Sequence, residues 1–330
     1  VATTIDDKKE RTHVLAAVAE QLEGEERQQC LRQALATAIG YESNRADTLK
    51  TVVRQLAGEP ALLRQALTAA TVIDNERERA DALVAVARQL EGESALLRQA
   101  LATATAIDNE EDRAHALAAV AGQLEGEERR QCLRQALAAA TAIDSEQRRA
   151  YTLAVVAGQL AGEPTLLRQA LASTTAIDHW WRTDALIAVA GQSEGEPALL
   201  RQVLKTATAI SNEDERVGVL AAVARRLEGE SMLLCQALVA ATAIDDKRSR
   251  ADALAAVVKQ LEGEARRRFL RQALRDATSH DSDWGCARAL AAVAGQLAGE
   301  PALWKETLPK AERMAEKGYF EALSNLAATW

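Results

Sequence analysis

A Gly-Glu pair returns along this chain with its Gly at 24, 58, 92, 126, 162, 195, 229, 263 and 299, so a copy is 33 to 36 residues long. A period of that length constrains the fold more than any local propensity. Each copy is one supersecondary unit that cannot bury its apolar face alone and must stack on its neighbours. Within a copy, a Leu-Arg-Gln-Ala-Leu-like block (63–67, 97–101, 133–137, 167–171) precedes a Thr-Ala-Ile-Asp-like corner and a second block such as 113–124.

In the copy that opens at Gly58, Pro60 suits a first helical position, and Leu63, Ala66, Leu67, Ala70 and Ile73 follow at helical spacing. That is helix A. Asp74 or Asn75 offers an N-cap, Ala80, Leu83, Ala87 and Leu90 draw a second stripe, and Gly92 supplies the left-handed stop. That is helix B. Asp108 with Glu111 and Asp144 with Gln147 have the spacing of a capping box. Copies opening at Gly24, Gly126 and Gly263 have two extra residues before the Leu-Arg-Gln block, which predicts a helix A starting about half a turn earlier.

The expected fold is therefore all-α, an αα-solenoid of about nine helix-turn-helix repeats behind a leading half repeat. Its parts are a half repeat at 1–23, eight repeats at 24–298, and a divergent repeat or cap at 299–330, all in one array over 1–330. Apolar residues make up 48% and aromatics only 3%. Such a core is Ala-filled, and small side chains let helices approach closely. The chain resembles the tetratricopeptide class of αα-hairpin repeats in period, helix order and the small helix-B positions such as Ala80 and Ala87. The family's Trp, Leu-Gly and Tyr positions in helix A are replaced by the Leu63-Arg64 and Leu67 pattern; a HEAT-like solenoid shares these features. The resemblance implies a right-handed superhelix whose helix A residues line a concave groove.

Two Arg ladders recur. One, in helix A, includes Arg64, Arg98, Arg134, Arg168 and Arg201; the other, in helix B, includes Arg11, Arg79, Arg113, Arg149 and Arg250. They are read either as bridges to carboxylates or helix C-terminal carbonyls of the next copy, setting the stacking register, or as a cationic strip for an acidic peptide. The helix A ladder is the candidate strip. Two residues beyond each helix B Arg the side chains vary: His13, Asp47, Asp81, His115, Tyr151 and Asp184. That column is expected at the surface, either as tolerant positions or as a recognition column. Trp180 and Trp181 beside His179 form a candidate aromatic corner, with Trp284 at a comparable place.

Forty basic against 48 acidic side chains disfavour a phosphate-backbone partner. No apolar leader or membrane span is visible, which predicts a soluble, cytoplasmic chain. Cys30 and Cys132, three repeats and roughly 30 Å apart, are expected as free thiols. No phosphate loop, nucleophile elbow, converging acid pair or metal-ligand spacing occurs, so neither catalysis nor a cofactor or metal is expected. The expected function is a non-catalytic scaffold for a protein or an acidic peptide, belonging to a larger intracellular protein. Alternatives are the sensor or autoinhibitory arm of a signalling NTPase or protease, and a nucleic-acid-reading array. An apolar face expected to be open at Ala16, Ala19 and Leu22 suggests excision from a longer chain and possible end-to-end self-association.

Overall fold

The Gly of every Gly-Glu pair takes a left-handed backbone, with φ between +57° and +79°. That conformation is costly for any side chain with a Cβ, and it reverses the chain at the end of each helix B. The computed structural model describes residues 5–41, 45–177, 181–279 and 282–329, and among them every regular element is a helix. They gather into two compact units, 1–166 and 167–330.

In the first unit the B helices are α1 (Lys8–Glu20), α3 (Arg45–Val53), α5 (Glu76–Ala87), α7 (Glu110–Ala121) and α9 (Glu146–Ala157). The A helices are α2 (Gly24–Ile39), α4 (Pro60–Thr71), α6 (Ser94–Thr105) and α8 (Gly126–Thr141). In the second unit the A helices are α10 (Pro164–Thr175), which starts just before the boundary, α12 (Pro197–Thr208), α14 (Ser231–Thr242), α16 (Gly263–Thr278) and α18 (Pro301–Glu316). The B helices there are α11 (Thr183–Gly191), α13 (Glu213–Ala224), α15 (Lys247–Val258), α17 (Asp283–Ala294) and α19 (Glu321–Ala327). The divergent C-terminus is thus one more hairpin. Its α19 packs on α17 as other B helices pack on their predecessors, and Trp304 Nε1 donates to the Leu326 carbonyl at 3.0 Å. Trp330 lies outside the described residues.

Within each unit, successive B helices pack along one another, whereas successive A helices touch at few points. Ala80, Ala87, Ala114 and Ala121 are at most 2% exposed and allow close B-to-B approach around Leu83, Leu117 and Leu153. Within each unit the tight layer is therefore helix B.

Three local expectations change. The caps of α7 and α9 are Asn109 and Ser145, whose side chains accept from the Asp112 and Arg148 N–H groups, so the capping boxes read from Asp108 and Asp144 start one residue too early. The long A helices α2, α8 and α16 begin at the Gly itself and have 16 residues against 12 in α4, a full extra turn rather than half of one. The turn residues have joined the helix. Finally, Ala16 and Ala19 are buried and Leu22 is half-buried, and the exposed large apolar residues of α1 are Val14 and Val18. Both α2 and α3 pack on α1, so the stripe expected to be open is covered.

Candidate functional site

The outer stripe of helix B carries the variable column. On α5 it holds Asp81 and Val84 with Arg88 just beyond its end, on α7 His115, Ala118 and Ala119 with Gly122 just beyond its end, and along α9 Tyr151, Val155 and, just beyond its end, Gln159. Spacings of three, four and seven or eight put each set on one helical face. Together they line a cleft of about 320 Å³ in the first unit. Small residues of α7 form its floor, and a Cβ at Gly122 would come within 3.2 Å of Gln159 Oε1.

Three column residues, Asp81, His115 and Tyr151, meet in this cleft. The His115 and Tyr151 rings contact edge to face with centroids 5.8 Å apart. Burial holds the imidazole pKa below its ordinary value, against the pull of Glu111, Asp112 and Asp81, and His115 Nε2 is buried without a hydrogen-bond partner. Burial, helped by Glu111, likewise raises the Asp112 carboxyl. Asp81 accepts from Lys50 Nζ at 2.9 Å, which ties α3 to α5, and 59% of Tyr151 is exposed. His13 stands farther along the same layer, with Nε2 3.2 Å from Thr51 Oγ1. Asp184 is exposed on α11 in the second unit and takes no part in this cleft.

The column continues in the second unit with Gly218, Asp252 and Arg288. Burial pushes the Asp252 carboxyl up to about 6 against the opposing pull of Arg288 and Arg248. Both guanidinium groups also face the Trp284 ring, at 5.5 Å for Arg288 and 5.6 Å for Arg248. Trp181 is exposed at its corner, while His179 and Trp180 lie outside the described residues.

The two Arg ladders have different roles. Helix B Arg side chains donate to the corner Ile carbonyl of their own hairpin: Arg79 to Ile73, Arg113 to Ile107, Arg149 to Ile143 and Arg250 to Ile244, at 2.6 to 2.7 Å. They therefore close the A-to-B corner, and Arg250 also bridges to the next copy, where the Asp276 carboxylate of α16 accepts from Nε at 2.9 Å and from a terminal nitrogen at 2.8 Å. One inter-repeat bridge is a Glu that the sequence does not single out. Glu76 accepts from the Asp108 and Asn109 N–H groups of the next corner, and Glu213 does the same for Asp245 and Asp246. The first residue of helix B is the signal that could have found it, because an acid there faces a neighbouring corner.

Helix A Arg side chains are exposed. Arg98 pairs with Glu128 at 3.3 Å and Arg168 with Glu196 at 3.1 Å, each reaching the next repeat, while Arg134 pairs with Glu127 of its own helix. Arg64 and Arg201 have no ion pair among the described residues. The ladder is thus partly neutralised. Cleft residues missed by the column reading are Arg88, Gln123 and Gln159, which sit seven or eight places after column positions and could have been found by that spacing.

Among the described residues no helix is long and apolar enough to cross a membrane, and no group of three His, Cys, Asp or Glu side chains is placed to hold a metal ion. No family model and no curated protein matches the chain. A solved structure that does match it, the crystal structure of Ton1535 from Thermococcus onnurineus NA1, is 15% identical, with 95% of this chain and 99% of that chain covered and a TM-score of 0.36.

Proposed function

We propose that this chain is a non-catalytic helical-repeat scaffold, tetratricopeptide-like in its repeat plan, that binds a protein segment along the exposed face of its B helices. The observation that carries this reading is the convergence of Asp81, His115 and Tyr151 on one cleft over an Ala and Gly floor. Side chains that differ from copy to copy on an otherwise regular framework allow recognition to be set locally, while the framework limits the ordering cost of binding. Tyr151 and Val155 offer an apolar wall, and Arg88, which has no ion pair among the described residues, offers a cation. The partner segment is therefore one with an apolar side chain close to an acidic one.

Selection from a random peptide display library against the whole chain tests this. Enriched sequences should pair an apolar residue with Asp or Glu, and Tyr151→Ala with Arg88→Gln should weaken them about tenfold or more. Enriched peptides indifferent to both substitutions would overturn the reading.

A further inference from the structure

The second unit carries a larger cleft, about 520 Å³, on the A layer between α10 and α12. Three cations line it: Arg168 from α10, Lys205 from α12, and Arg182 from the start of α11, with the Gln202 amide beside them. No Asp or Glu is among its described lining residues.

Arg182 is there because of a local change in register. In the hairpins of Arg79, Arg113, Arg149 and Arg250, the Arg follows its corner Ile by six residues and donates to that Ile carbonyl. Between Ile177 and Arg182 there are only five steps, so the chain has lost one residue at this corner. The usual bond is not made. Among the described residues the Arg182 guanidinium has no hydrogen bond or ion pair, and its Nε is buried. Lys205 is a second departure. The residue four places after the ladder Arg is Ala36, Thr68, Ala102, Ala138 or Ala172 in the copies before it, and a cation only here and at Arg275. Lys205 also has no ion pair among the described residues, whereas Arg168 shares Glu196 at 3.1 Å.

Two cations without an anionic partner, a third half-neutralised, and an amide donor face one concave space. We propose that the α10–α12 cleft binds a phosphate group, a dianion whose charge matches Arg182 and Lys205 and whose oxygens accept from the guanidinium, ammonium and amide donors around them. A carboxylate would leave one of the two cations uncompensated. This site lies on different helices and in a different unit from the B-helix cleft, so it stands or falls separately from the peptide-docking proposal.

Calorimetric titration of the whole chain with inorganic phosphate at low ionic strength tests it, with chloride as the control anion. Saturable binding of one phosphate is expected. Arg182→Gln and Lys205→Gln should each weaken it about tenfold or more, while Arg64→Gln, an exposed ladder Arg of the first unit, should leave it unchanged. Lys205 is exposed, so its substitution separates loss of binding from loss of fold should the Arg182 variant unfold. Absence of saturable binding, persistence of binding in both variants, or equal weakening by Arg64→Gln would each overturn the site. A blocked phosphoserine tripeptide distinguishes the sources. Tighter binding than inorganic phosphate at the same two residues marks a phosphorylated protein segment as the ligand, and equal or weaker binding marks free phosphate.

Discussion

Arg113 donates to the carbonyl of Ile107 at 2.7 Å, six residues back across the corner between α6 and α7. A second bond from the same nitrogen reaches the Asp108 carbonyl at 2.8 Å. A charged donor thereby satisfies two carbonyls beyond the end of a helix A, where no intrahelical partner exists. Arg113→Met keeps much of the aliphatic stem and removes both bonds, so urea unfolding should show a loss of about 1.5 to 3 kcal/mol. Arg113→Lys should recover only part of it, because a single ammonium does not reproduce the guanidinium fork.

Leu83 and Leu117 are at most 1% exposed in the tight B layer. Replacing either with Ala should cost about 2 to 5 kcal/mol. Hydrogen exchange should rise most in the hairpins next to the substitution and fade with distance along the first unit, as nearest-neighbour stability requires. A uniform rise throughout that unit would contradict a stacked repeat.

The hairpin plan was legible in the sequence because burial and backbone geometry impose it in every copy. Gly92 recurs where φ must be positive, and Leu83 recurs where the B layer closes. The column was legible as surface at His13, Asp47, Asp81 and Tyr151, since a core position could not accept His, Asp and Tyr in turn, but His115 is half-buried between its neighbours, which its variability did not reveal. Which layer packs tightly was not legible, because Ala occurs in both helices and only three-dimensional contact distinguishes them. The bond from Arg113 to Ile107 was also hidden. A backbone carbonyl has no letter of its own, so a repeated Arg suggests a carboxylate partner before it suggests a main-chain one.

His115 and Asp252 should give opposite pH responses. Burial keeps the His115 pKa below 6.5, so the unfolded chain takes up that proton first, and stability falls as pH drops through the ordinary His range. His115→Gln should flatten that loss between about pH 7 and 5. The Asp252 carboxyl is raised from 3.8 to about 6. Its stabilising neutral form is fully present below 3.8 and is lost as pH rises through about 6. Asp252→Asn should therefore stabilise the chain at pH 7 by about 1 kcal/mol, less than the whole shift because solvent reaches part of the group, and the gain should vanish near pH 4. Thermal melts across that range check both.

Thiol reactivity should sort the four cysteines by burial. Cys235 is exposed and should react first with an aromatic disulfide reagent, followed by the half-buried Cys286. Cys30 and Cys132 are buried, with Sγ 3.1 and 3.2 Å from the Leu15 and Leu117 carbonyls. Burial raises both thiols, Cys132 to about 12. Neither should be labelled until its hairpin opens, so Leu117→Ala should accelerate labelling of Cys132 more than of Cys30. Equal rates for all four in the native chain would refute the packing of α8 against α7.

The most direct test of the docking face is hydrogen exchange of the whole chain with and without a display-selected peptide. Protection is expected in α5, α7 and α9, whose side chains line the cleft, with little change in α4 and α6, and it should disappear in Tyr151→Ala. Protection centred on α4 and α6, or protection that survives Tyr151→Ala unchanged, would contradict recognition by the B-helix face.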